Sequence, residues 1–390
     1  MNISLPVPDS DASAHSAALV SYIQHQIKKA GGWIDFPQFM HSALYAPGLG
    51  YYSSGAKKFG LAGDFVTAPE ISPMFGQAFV RQIQQVLHAV RDQHVCADIL
   101  ELGAGTGRLA CDLLLELARL DQLPDHYFIL EVSAHLRDEQ RKNLMSQLPD
   151  IIKKRIIWLD AIPKSFNGVV IANEVLDALP VHLIEQGASS INEVGVGLED
   201  ECFVWKSQQL QSEDLLDFVS KLELSEGYVT EVCSAATGLI ATLANALQLG
   251  AVMMIDYGFS RNEYYHPQRR QGTLMCHYRH HSHSDPFIYL GLQDITAHVD
   301  FTRIAEAGVG AGLSFVGYLN QAQFLINCGI TQLLELISED DMVNYISQAA
   351  AVQKLLSPAE MGELFKVIAF EKNLDIDFIG FSQGDKSHTL

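Results

Sequence analysis

Short apolar runs separated by stretches of helical spacing dominate the chain from residue 97 onward. Runs at 98–102, 127–131, 156–159, 168–173 and 251–257 are too short and too continuous for amphipathic helices and predict buried strands. The segments 106–120 and 238–249 carry apolar residues at helical intervals, so strands and helices alternate, which predicts a mostly parallel α/β sheet. Two further strands, 313–319 and 365–371, close the pattern around a helical excursion at 332–355. The alternation is interrupted twice. Residues 181–206 predict antiparallel strands, whereas 260–301 is polar, aromatic and rich in histidine and predicts a long functional insertion. Ahead of the alternation lie a dozen residues expected to be disordered, then helices at 14–29 (Ala18, Ile23 and Ile27 among the apolar positions), 36–43 and 72–89. This divides the chain into an N-terminal helical extension, 1–95, and a catalytic domain, 96–390, with insertions at about 181–236 and 259–312.

The change of period at 97–109, ADILELGAGTGRL, brings Glu101 to the end of a strand and Gly103, Gly105 and Gly107 into the turn that opens a helix. Bare backbone and free amides at a helix start are where an α/β protein receives a nucleotide-like ligand. A dinucleotide fingerprint needs glycine at position 108, where this chain has Arg108. The G-x-G-x-G turn instead resembles that of S-adenosyl-L-methionine (SAM) methyltransferases. SAM has no pyrophosphate; its handles are an adenine, a ribose diol and a zwitterionic tail. Glu131 ends the second strand 24 positions past Gly107, near the ~20-residue offset of a ribose-binding acid; the alternative is a cap for the helix that begins near Ser133. Glu101 either orients the methionine amino group, directly or through water, or simply lies near the turn. Asp160 ends the third strand and either meets the adenine amino group or sits in a surface loop. Asn173 ends the fourth strand and should face the same crevice.

The segment Asn173–Glu174–Val175–Leu176–Asp177 leaves that strand toward the place where a reactive methyl group would lie. Glu174 and Asp177, three residues apart, face one side if a helical turn opens there. A pair of carboxylates suits an arginine acceptor, whose five guanidinium donors they would orient and polarise. The alternative is one helix cap and one solvated acid. The run CHYRHHSH (His277, His280, His281, His283) matches no zinc spacing and reads as a solvated or substrate-lining loop, with one histidine a candidate proton acceptor; no metal is expected. Tyr51–Tyr52 and Tyr264–Tyr265 line an acceptor groove or pack in the core.

The formal net charge of −20 disfavours a nucleic-acid partner and suits a basic protein or peptide. The six cysteines are scattered, without a C-x-x-C pair, and read as reduced thiols of a cytoplasmic protein. Neither a secretory signal, a transit peptide nor a membrane span is apparent, and oligomeric state is not legible.

A wider resemblance joins these motifs. FPQFMHSALYAPGLGYY (36–52), GDFVTAPEISPMFG (63–76), LELGAGTGRLACDLL (100–114), LEVSAHLRDEQ (130–140), IANEVLDALPV (171–181), MIDYGF (254–259), GTLMCHYRHH (272–281), GLQDITAHVDF (291–301) and MGELFKVIAF (361–370) are similar, in order, to segments of the MidA family of SAM-dependent methyltransferases. The resemblance implies a class I, Rossmann-like fold with a seven-stranded sheet and an inserted acceptor region. It also implies a protein-arginine acceptor, possibly a subunit of respiratory NADH dehydrogenase (complex I), in a bacterial relative of the mitochondrial assembly proteins. Gly63, Asp64, Thr67 and Ser72 would then bring the N-terminal section over the cofactor; a proline-centred turn and helix cap is the alternative. Two rival functions are methylation of a small molecule at O or N, and an assembly chaperone that binds SAM without turnover.

Overall fold

A computed structural model describes residues 5–54, 66–338 and 340–390. It divides into two compact units. The first contains the sheet and comprises Val66–Leu176, Thr237–Ser260 and Asp300–Leu390. Its strands are β1 (Asp98–Leu102), β2 (Tyr127–Leu130), β3 (Ile156–Leu159), β4 (Phe166–Asn173), β5 (Leu247–Phe259), β6 (Ser314–Asn320) and β7 (Phe365–Lys372). Among the described residues they lie in the order β3-β2-β1-β4-β5-β7-β6, with the two-residue strand Val299–Asp300 off this path. The first five pair in parallel, with Leu100 opposite Val170 and Val170 opposite Val252. β7 runs antiparallel to both neighbours, setting Ile368 against Met254 and Tyr318.

The central strands are apolar on both faces because helices cover both. Val169, Val170 and Ile171 of β4 and Val252, Met253 and Met254 of β5 are all buried. Helix α1 (Pro73–Arg91) starts at Ser72, whose Oγ accepts the Met74 amide at 3.1 Å, and buries Phe75, Phe79, Ile83, Val86 and Val90 along one face. It packs on α2 (Arg108–Arg119) so closely that a Cβ on Gly76 would stand 2.9 Å from the Asp112 Cβ. α3 (Ala134–Gln147) follows β2 and is polar over most of its surface.

The second unit comprises Met1–Phe65, Asp177–Ala236 and Arg261–Val299. Its first helix begins at Ser10, earlier than expected, because Asp9 caps it by accepting the Ala12 amide at 2.9 Å. The buried stripe is Leu19, Ile23 and Ile27, while Ala18 faces out. The strands expected within 181–206 form: His182–Gln186, Ile191–Glu199 and Cys202–Gln209 are antiparallel, extended by Trp33–Asp35 and Val229–Val232. Residues 260–301 are more ordered than a polar loop. Met275–Tyr278 pairs with His281–His283 and Asp294–Thr296, and Arg279 and His280, both at positive φ, make the tight hairpin between the first two. Phe36, Phe39, Phe203, Trp205 and Phe287 interlock here, the closest rings being Trp205 and Phe287 at 4.7 Å. The N-terminal stretch therefore does not stay together: residues before Val66 join the second unit, and α1 joins the sheet.

Candidate active site

The glycine turn sits at the carboxyl end of β1. Gly103, Gly105 and Gly107 have φ of 59°, 53° and 83°, a left-handed path that side-chain-bearing residues adopt poorly. Gly103 N–H donates to the Leu130 carbonyl, tying the turn to β2, and Gly107 leads directly into α2. Arg108 opens that helix and donates from Nε to Asp112 Oδ2 at 2.8 Å, one turn on.

Two buried acids flank the turn. Glu101 accepts the Tyr127 hydroxyl at 2.8 Å, and burial raises its carboxyl to about 7 against that bond, with Glu131 adding in the same direction. Glu131 accepts the Ser133 amide on Oε1 at 2.9 Å and the Gln140 side-chain amide on Oε2 at 3.1 Å; burial raises its pKa as well. The cap of α3 is supplied by Ser133, whose Oγ accepts the Leu136 amide. Asp160 is placed differently. Its side chain is 90% exposed and ion-paired with Arg137 at 2.7 Å, whereas Glu101 and Glu131 are buried.

At the end of β4, Asn173 donates from Nδ2 to Glu174 Oε1 at 3.2 Å. Glu174 has φ 53°, and its amide donates to the Ile255 carbonyl. The next two amides, Val175 and Leu176, both donate to Asp256 Oδ2, at 3.1 and 2.8 Å. The fully buried Asp256 thus holds the loop in shape, a role the sequence signalled only as an acid inside an apolar run. The segment after Thr67 reaches the same loops. The Ala68 amide approaches Glu174 Oε1 at 3.4 Å, and Glu70 accepts the Thr106 hydroxyl at 2.6 Å. Thr67 precedes the turn Ala68–Ile71 without capping it through its side chain. Gly63 and Asp64 lie outside the described residues.

Asp177 belongs to the second unit, where it is buried and its carbonyl accepts the Ala297 amide at 3.0 Å. Tyr52 donates to Asp294 at 2.9 Å and Tyr264 to Glu231 at 3.3 Å, both within that unit. His277 is half-buried, and the desolvation lowers its pKa, whereas His280 and His281 are exposed. Among the described residues no group of three histidine, cysteine or acidic side chains is arranged to hold a metal ion.

The sheet unit fits SAM on two counts. Its turn offers bare left-handed backbone beside buried acids, and the Asn173 Oδ1 is buried without a hydrogen-bond partner among the described residues. Strand order, antiparallel β7, glycine turn and strand-end acids together define a class I SAM-dependent methyltransferase. Residues 78–319 match the model of a family described as S-adenosyl-L-methionine-dependent methyltransferases, and the chain belongs to that MidA-like family. It is similar throughout to a COG1565 superfamily member from Burkholderia thailandensis, whose crystal structure holds S-adenosyl-homocysteine (SAH). The two are 49% identical, the match covers 99% of this chain and 100% of that one, and the TM-score is 0.95. The mitochondrial protein arginine methyltransferase NDUFAF7 homolog of Caenorhabditis elegans is 30% identical over 78% of this chain and 75% of its own length. Human mitochondrial NDUFAF7, also named a protein arginine methyltransferase, is 26% identical over 90% and 82%. The chain is a methyltransferase with SAM as its cofactor. No helix among the described residues is long and apolar enough to cross a membrane.

Proposed function

We propose that the chain is a protein arginine N-methyltransferase. The observation that carries this is the loop after β4, where a buried carboxylate, Asp256, clamps two successive amides so that Glu174 is held in a left-handed conformation beside Asn173. A chain does not hold a non-glycine residue there without support, and such positions cluster at functional sites. The relatives named as arginine methyltransferases match the chain over most of its length, and its net charge of −20 favours a basic protein partner over nucleic acid. The acceptor implied by the family is a subunit of respiratory NADH dehydrogenase, and the scattered cysteines favour a reducing, cytoplasmic setting.

The bound cofactor supplies a methyl group on a sulfonium. The glycine turn (Gly103, Gly105, Gly107) would receive its amino-acid tail, with Glu101 oriented toward the amino group; Glu131 would accept the ribose diol, and Asn173 and Thr67 would complete the wall. Asp160, expected at the adenine, has only a weak part from its exposed position. On the acceptor side Glu174 would hold the guanidinium with one nitrogen in line with the carbon–sulfur bond. The carbon–nitrogen bond forms as that bond breaks, and the guanidinium releases a proton to a carboxylate or to water, leaving SAH and methylarginine. Positioning supplies most of the acceleration.

The test is incubation with SAM labelled in its methyl group and a cell lysate. Label recovered as methylarginine from hydrolysed protein is the expected result, with Glu174→Gln abolishing transfer while SAH binding persists. Label confined to small metabolites, or no label at all, overturns the proposal.

A further inference from the structure

Gln140 lies in the middle of α3, on a helix whose other polar residues mostly face water, yet it is fully buried. All of its side-chain capacity except one acceptor lone pair is used. Nε2 donates to the Gly105 carbonyl at 3.0 Å and to Glu131 Oε2 at 3.1 Å, and Oε1 accepts the indole N–H of Trp158 at 3.0 Å. Two acceptors on one side and a donor on the other leave only one orientation of the amide. Three separate parts of the sheet unit therefore meet on one side chain: the middle of the glycine turn, the acid at the end of β2, and β3.

We propose that Gln140 is a positioning residue of the cofactor site, joining the glycine turn to the ribose-side acid and setting affinity for the adenosine half of SAM. The idea rests on the reading of Glu131 as the ribose acceptor. Gln140 does not touch the reacting atoms. By donating to Oε2 it fixes the rotation of the Glu131 carboxylate, and the same NH₂ group fixes the Gly105 carbonyl in the middle of the turn. A neutral donor does this without bringing a second charge next to a buried acid. A lysine or arginine there would neutralise Glu131, and an acid would repel it. Trp158, itself overlain by Arg141 at 5.0 Å, locks the amide from the far side.

The proposal predicts a division of effects within one ligand. In Gln140→Met, similar in size but without the hydrogen bonds, the affinities for SAH and for the tail-less nucleoside 5′-methylthioadenosine should fall together, by about tenfold or more. KM for SAM should rise with kcat nearly unchanged, because the ribose diol that Glu131 would hold takes no part in the transfer and Gln140 touches no reacting atom. Calorimetric titration of the full chain with each ligand, and steady-state methyl transfer, measure this. Gln140→Glu keeps the shape and the acceptor for Trp158. Its SAH affinity should improve as pH falls, since one proton shared with Glu131 restores the donor; a pH profile parallel to that of the unaltered protein overturns the proposal, also in the event that Gln140→Met does not fold. A folded Gln140→Met with unchanged affinities, or with kcat reduced and KM unmoved, overturns it as well. Glu131→Ala separates the two readings. If that variant binds SAH normally, the ribose assignment falls and this proposal with it; if it binds weakly while Gln140→Met binds normally, this proposal falls alone.

Discussion

Each of the two units contains a buried carboxylate that receives two successive backbone amides. In the sheet unit Asp256 takes those of Val175 and Leu176. In the second unit Glu231 takes those of Thr273 and Leu274, together with the Thr273 hydroxyl. The device is the same and the outcome differs. Asp256 clamps the loop that displays Glu174, whereas Glu231 fastens the start of the histidine-bearing hairpin, beneath Gly272, whose missing side chain leaves room for it: a Cβ there would stand 2.1 Å from Glu231 Oε1. One buried acid supports the proposed chemistry and the other supports only architecture, although both look alike in composition and burial.

The largest test of this contrast is the pair Asp256→Ala and Glu231→Ala. Each leaves one buried and one partly buried amide without its acceptor, so each should lower stability by roughly 2–4 kcal/mol in denaturant titrations. Only Asp256→Ala should also abolish methyl transfer, and Glu231→Ala should keep SAH affinity within about twofold. Equal loss of transfer in the two folded variants would erase the distinction. A second pair sharpens it among acids at strand ends. Glu131→Ala should weaken SAH binding by about a hundredfold, since hydrogen bonds to a buried charged group are strong. Asp160→Ala, which removes only an exposed ion pair, should change it by no more than about twofold. A third test concerns Glu101. Folding raises its pKa from 4.5 to about 7, so the folded state binds the extra proton. Its contribution to stability is fully present below about pH 4.5 and is lost as pH rises through 7, the reverse of a salt-bridged acid. Glu101→Gln should flatten that part of the stability–pH curve in ligand-free protein, by at most about 3 kcal/mol; an unchanged slope between pH 4.5 and 7 would count against it.

How far the sequence anticipated this arrangement depends on whether the determining interaction is local. The seven strands were legible because each is an apolar run bounded by turn residues, and the glycine turn because positive φ leaves so few residue choices. The placement of Glu131 and Glu101 followed from their positions at strand ends. Asp160 occupies an equivalent position yet is exposed and ion-paired with Arg137; strand-end position alone does not decide burial. Gln140 was invisible, since its partners come from the glycine turn, β2 and β3, while its helical neighbours are ordinary polar residues. The hairpin within 260–301 was missed for a related reason: its strands are only four and three residues long, and their polar sequence carries little alternation. Residues 1–95 read as one extension because nothing in their composition marks a boundary, whereas the sheet unit begins at Val66.

The left-handed Glu174 has a consequence for how such a protein would drift or be engineered. Glycine is the residue that its backbone asks for, and relaxing the conformation would return about 1 kcal/mol or more. A library sorted for heat resistance alone would therefore be pulled toward glycine at this position and away from the carboxylate proposed to meet the acceptor. Robustness and the proposed chemistry would then place opposite demands on one residue.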